Sequence, residues 1–174
     1  MEHQQYQKKR VAQICIKPYL ATYAKKKFEI DPKTGGIKIP DSFDLYHCIW
    51  QLMERQPRHQ ADGSEQKVNL TIWLPFRRTT PSKHPEYWNY IPPRKHWIIE
   101  KALRQLFNWE FHHYVEGLIT KGAAKVDAVR SFIRYYGLGL DCEDALLKNM
   151  QRYERSIQAF LGIQKTKNKK KRKI

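Results

Sequence analysis

Between Arg77 and His96 the chain sets cations beside aromatic plates. Arg77, Arg78, Lys83, His84, Arg94, Lys95 and His96 are interleaved with Tyr87, Trp88 and Tyr90. Single-stranded nucleic acid or an RNA loop requires that mixture, because phosphates meet the cations while bases stack on the rings. The rings have a plainer use as well, as anchors that tuck a long proline-bearing loop onto a core, and both uses can hold for different rings.

A second set of cations closes the chain. From Lys165 to Lys173 there are seven basic residues and no acid, with Lys169, Lys170, Lys171, Arg172 and Lys173 in an unbroken run. Such a run would add salt-dependent, sequence-independent affinity for a polyanion, each neutralised phosphate contributing about 0.9 to the slope of log affinity on log salt. Taking these seven from the formal net charge of +16 leaves the rest of the chain strongly positive. The excess therefore belongs to the body as well as to the tail.

The third set lies between Lys125 and Ile163, where two helical patterns are joined by a short turn containing glycine. That is the organisation of a helix-turn-helix. A second helix laid in a major groove would present Lys148, Asn149, Gln151, Arg152 and Arg155. Arg and Lys can reach guanine edges, and Asn and Gln adenine edges. An ordinary helical hairpin with a solvated charged face gives the same pattern.

Catalytic constellations are sparse. In "EFHHYVE" His112 stands one helical turn from Glu116, and His113 lies three residues from both Glu110 and Glu116, so a metal pair is geometrically allowed. Helix-surface polar positions explain these residues without a metal, since no H-E-x-x-H motif or cysteine cluster supplies further ligands. Glu65 and Lys67, with Asp41 or Asp44 upstream, resemble the acid-plus-lysine arrangement of metal-dependent nucleases, in a pattern short enough to arise by chance. No glycine-rich phosphate loop is present. Cys15, Cys48 and Cys142 are odd in number and widely spaced, and read as reduced thiols with no metal or disulfide role. No cofactor is expected.

The whole chain bounds these options. Its 174 residues suit one domain, or one domain with a helical appendage, and 41% apolar and 13% aromatic content supply a core. Strong positive charge points to polyanions, nucleic acid first and anionic membrane second. No apolar run approaches the roughly 20 residues of a membrane span, and "MEHQQYQKKR" has no signal-peptide character, so a cytoplasmic protein with no membrane partner is expected.

Elements must position these residues. Val11, Ile14, Cys15, Tyr19 and Tyr23 predict a basic helix from Arg10 to about Phe28, kinked at Pro18. "DPKTGG" is a turn, "IKIP" a short strand, and Asp41 or Ser42 caps a helix with Phe43, Tyr46, Ile49, Leu52 and Met53 along one side, ending near Arg55 to Pro57. "VNLTIWLPF" alternates Val68, Leu70, Ile72 and Leu74 against Asn69, Thr71 and Trp73, which predicts a half-buried strand paired with "IKIP". From Pro93 a helix of about 28 residues carries Trp97, Ile98, Ala102, Leu106, Trp109, Tyr114, Val115 and Leu118, widened by Phe107, Phe111 and Ile119, as a central pillar. A second helix places Val126, Val129, Phe132, Ile133 and Tyr136 inward and closes at Gly137. A third, with a start signal at Asp141 and Asp144, places Ala145, Leu146, Met150, Tyr153, Ile157 and Phe160 inward.

The expected fold is α+β and mainly helical: a small two- or three-stranded sheet on long helices, a helix-turn-helix-like pair and a basic tail. The expected division is a body over 1–122 with its loop at 77–96, the pair over 123–163, and the tail over 164–174. The expected function is non-enzymatic nucleic-acid binding, DNA or RNA, as an accessory subunit beside a larger protein in a mobile-element or phage type of complex. A helix-turn-helix regulator, a structural assembly protein and a metal-dependent nuclease are the alternatives.

Overall fold

The computed structural model describes residues 10–56, 68–76 and 82–161. It is a mainly helical α+β fold in which a four-stranded mixed sheet packs against the helices. Strand β1 is Val11–Ile14, in place of the expected helix. The reason is local: Ala12 and Ile14 face the core while Gln13 faces water, a period of two that the cysteine and tyrosines farther on obscure. Helix α1, Pro18–Lys27, starts at the proline instead of kinking there. Proline suits the first helical turn, where its missing N–H is not needed, and it holds Lys17 before it in extended geometry.

Strands β2 (Glu29–Ile30) and β3 (Ile37–Lys38) form a short hairpin around the predicted turn. The Asp31 carboxylate accepts from the Thr34 N–H at 3.0 Å and the Thr34 hydroxyl at 2.9 Å, and Gly35 takes the positive φ of 67° that closes the turn. Strand β4, Leu70–Trp73, pairs in parallel with β3 through Ile37 and Ile72, the partner expected for it. It also pairs antiparallel with β1, from Val11 opposite Trp73 to Ile14 opposite Leu70, giving the order β1-β4-β3-β2. Leu70, Ile72 and Leu74 are buried, but Val68 precedes the strand and is exposed.

Helix α2, Asp44–Leu52, begins after Phe43, whose extended backbone leads in, and no side chain from Asp41 or Ser42 caps it. It stops at Leu52, before the expected end, because Met53 turns extended and Glu54 forms a bridge with Tyr90. A single 3₁₀ turn, Pro93–Lys95, leads into α3, His96–Thr120, the expected pillar. Its buried row is His96, Ile99, Leu103, Phe107, Phe111 and Val115, so Trp97 and Trp109, expected inward, face water. A helix apolar nearly all round has no inner face until its neighbours choose one. Here the rings of Tyr19, Tyr23 and Phe132 close around Phe107 at centroid distances of 5.4, 5.1 and 5.6 Å.

Helix α4, Lys125–Tyr136, buries Val129, Phe132, Ile133 and Tyr136 but leaves Val126 exposed in its first turn. It ends as expected at Gly137, φ 65°, with the Leu138 N–H donating to the Ile133 carbonyl at 2.9 Å. A 3₁₀ turn, Leu140–Cys142, precedes α5, Glu143–Phe160. Of its expected inner row, Leu146 and Met150 are buried and Tyr153 half-buried, whereas Ala145, Ile157 and Phe160 are exposed. The helix outruns the surface it packs against. No helix among the described residues is long and apolar enough to cross a membrane.

Candidate nucleic-acid interface

The corner where residues 82–95 meet the end of α2 gathers Lys83, His84, Arg94 and Lys95 with Tyr87, Trp88 and Tyr90. Lys83 turns inward. Its ammonium donates to the carbonyls of Trp50, Gln51 and Met53 at 3.3, 2.8 and 3.2 Å, serving as a C-terminal cap for α2. It also lies 5.3 Å from the ring centroids of both Trp50 and Trp88. Burial, and then the charge of Lys95, push the Lys83 pKa below that of an ordinary lysine. Trp88 carries a second cation, the Arg55 guanidinium at 5.4 Å.

Lys95 and Arg94 share the Glu54 carboxylate, at 2.6 and 3.6 Å, and the Lys95 bond foremost holds that carboxyl below its usual range. His96 is buried. Its Nδ1 accepts from the Cys15 N–H at 3.3 Å and its Nε2–H donates to the Ile91 carbonyl at 3.1 Å, so it is a neutral bridge between β1 and the loop. Burial lowers its pKa, and the expectation that it offers a cation to phosphate is corrected. Trp88 is thus an anchor and Lys83 a structural cap. Tyr87 is 63% exposed beside His84. An open cleft of about 620 Å³ lies in front of it, lined by Arg55, Gln56, Glu86, Tyr87 and Asn89. Sequence reasoning misses Arg55 and Gln56 as cleft residues, because they sit at the end of a helical pattern with no aromatic next to them.

The C-terminal pair offers a different surface. Lys148, Arg152 and Arg155 are exposed along one side of α5 and form no ion pair among the described residues. Asn149 does not join them. Its side chain accepts from His112 Nε2–H at 2.6 Å and donates to Asn108 at 3.1 Å, locking α5 to α3, while Tyr153 stacks on His112 at 3.9 Å. The pair as a whole, 123–161, has six basic residues against five acidic ones. Positive excess in the described body is concentrated instead in residues 10–40, with seven basic against two acidic, including exposed Lys25 and Lys26 in the last turn of α1.

Glu110, a helix-surface residue by its spacing, is a half-buried hub. It accepts from the Tyr23 hydroxyl at 2.6 Å, from Lys27 Nζ at 2.9 Å and from the Tyr136 hydroxyl, joining α1, α3 and α4. Burial alone would raise its pKa, but the bonds from Tyr136, Tyr23 and Lys27 outweigh it and hold the carboxyl below its usual value. Both phenols are pushed up, first by burial and then by their bonds to this carboxylate. His112 and Glu110 are committed in this way, and no group of three or more metal-ligating side chains gathers among the described residues.

Arg77, Arg78, Glu65, Lys67 and the run Lys169, Lys170, Lys171, Arg172 and Lys173 lie outside the described residues. No family model, curated protein or solved structure matches this chain.

Proposed function

We propose that the protein binds nucleic acid without chemically altering it, as an accessory subunit of a nucleoprotein complex. The observation that carries this reading is the asymmetry of charge use. Glu54, Glu110, Glu143 and Glu154 are spent internally or on neighbouring cations. The acids left exposed, Asp41, Asp44, Asp127, Asp141 and Asp144 among them, are outnumbered across the chain by cations, of which Lys25, Lys26, Lys148, Arg152 and Arg155 stand in water without an acidic partner among the described residues. A surface of unmatched cations under a net charge of +16 suits phosphate. The cleft at Tyr87 adds an exposed ring, two amides and the Arg55 guanidinium, groups that hold an unpaired base and its phosphate, beside one carboxylate, Glu86.

The test is a salt series for the full chain and for a truncation after Ile163, with duplex DNA, single-stranded DNA and structured RNA. Binding by both forms, with a smaller salt slope for the truncation, supports a folded reader assisted by the tail. Loss of all binding on truncation leaves the body without a nucleic-acid role. A second reading has one observation in its favour: Phe160 is 89% exposed, with Ile157 and Leu161 beside it, at the C-terminal end of α5. An apolar end of this kind suits a larger protein subunit of the same complex. Sedimentation of the free protein at rising concentration separates that from self-association.

A further inference from the structure

The outer side of α3 carries a row that neither the fold nor the corner uses. Trp97, Lys101, Gln105, Trp109 and His113 follow one another at intervals of four residues and are all exposed, the two tryptophans by 61% and 66%. Residues four apart on a helix stack into one ridge, with about 6 Å of rise per step. His113 lies parallel to the Trp109 ring, with centroids 5.7 Å apart and planes 4° from parallel, which extends that plate. Exposed tryptophans are costly to leave in water, and two on one ridge of a structural pillar call for an occupant.

The three acids of α3 are withheld from this ridge. Glu100 takes Arg104 and the Lys17 N–H, Glu110 is the half-buried hub, and Glu116, itself exposed, lies off the row with the Tyr153 hydroxyl 3.5 Å away. What remains along the row is Lys101, the amide of Gln105 and rings, with no carboxylate. Arg94, its side chain 77% exposed, stands one turn before Trp97 and shares Glu54 with Lys95 only at the longer distance of 3.6 Å. Plates interleaved with cations, and free of negative charge, fit a strand whose bases are unpaired. A second copy of a chain with net charge +16 fits this row less well.

We infer that the Trp97–Trp109 ridge of α3 is a stacking track for single-stranded nucleic acid. This rests on the nucleic-acid reading above and adds to it a strand preference and a place. Bases stack on Trp97 and on the Trp109–His113 pair, and the Lys101 ammonium meets a phosphate between them.

The experiment titrates the full chain with oligothymidylate, oligouridylate and a duplex of equal length. It compares the wild type with Trp97→Ala, Trp109→Ala, the double variant and Lys101→Gln. Alanine is a good helix former, and both tryptophans are exposed, so circular dichroism should show the fold unchanged. Single-strand affinity is expected to fall roughly tenfold for each ring removed, with duplex affinity unaffected. Lys101→Gln should lower the single-strand salt slope by about 0.7. If the double variant binds single strands as the wild type does, the ridge is not the track and nucleic-acid binding stands elsewhere on the protein. If the wild type binds none of the three probes, the nucleic-acid reading itself fails. If the wild type sediments as a dimer that Trp109→Ala dissociates, the ridge is a self-association face and the inference is overturned.

Discussion

The corner at the end of α2 and the outer faces of α3 and α5 are built from the same residue types and use them in opposite ways. At the corner Lys83 caps three carbonyls between two indoles, and Lys95 closes on Glu54. On the outer faces Lys101, Lys148, Arg152 and Arg155 have no ionic partner among the described residues, and Trp97 and Trp109 are largely exposed. Cations beside aromatics are therefore not in themselves an interface. A cation with internal acceptors already holds the fold together, and only one left to water can exchange its counterions for phosphate. Stability and binding should then separate cleanly by region.

The largest effect is expected at the most committed charge. Removing the Glu110 carboxylate by Glu110→Ala strands Lys27 and the hydroxyls of Tyr23 and Tyr136, which should cost about 3 kcal/mol of unfolding free energy. Urea unfolding measures it, and a loss below about 1 kcal/mol would mean that water replaces the hub without difficulty. The folded pKa of Glu110 is held low, so its contribution is present above the unfolded carboxylate range, near 4.3, and is lost as pH falls through the folded value. Nucleic-acid affinity of the folded variant should not move.

Next comes Lys83→Met, which keeps a long side chain between Trp50 and Trp88 but deletes the cap. A loss of about 2 kcal/mol is expected, with affinity for nucleic acid unchanged. Intact stability with weakened binding would reverse the assignment and return Lys83 to the phosphate-binding set.

A smaller effect belongs to His96. Burial holds its folded pKa below the unfolded value of about 6.5, so the stability it contributes is present above that pH and is lost as pH falls toward the folded value. Unfolding free energies at pH 7.5 and 5.5 should show a decline in the wild type that His96→Gln reduces. Equal declines in both proteins would place the pH sensitivity on another histidine.

How far these roles are legible in the sequence depends on whether local pattern decides them. Strand β4, the Asp31 turn and the Gly137 cap each follow from a period of two, a proline–glycine pair or a left-handed position, and all are seen. Val11–Ile14 reads wrongly as helix because four residues of alternation adjoin Cys15, Tyr19 and Tyr23, which extend a helical period backwards over it. The faces of α3 cannot be assigned from a row that is apolar on most sides, since Tyr23 and Phe132 arrive from distant segments and select the inner one. For the same reason Glu110, Lys83 and Asn149 look like surface polar residues. Their partners lie 87, 33 and 37 positions away for Tyr23, Trp50 and His112 respectively, and no local spacing announces them. Of the candidate site, residue types are legible and their engagement is not.

The smallest effect on stability and the most direct on binding should come from α5. Lys148, Arg152 and Arg155 are solvated and unpaired among the described residues, so replacing all three by Gln should change unfolding free energy by no more than about 0.5 kcal/mol. If α5 meets phosphate, the salt slope on a duplex falls by about 0.9 for each phosphate that is no longer neutralised, a drop visible between low and moderate salt even where affinity at one salt is barely altered. Asn149 faces α3, so this helix presents cations with one fewer amide for reading base edges. The weakening should accordingly be the same for unrelated duplex sequences. A weakening confined to one sequence would show base readout by α5 and restore the helix-turn-helix alternative. An unchanged slope would remove α5 from the interface and leave the Tyr87 cleft and the α3 ridge as the sites to separate.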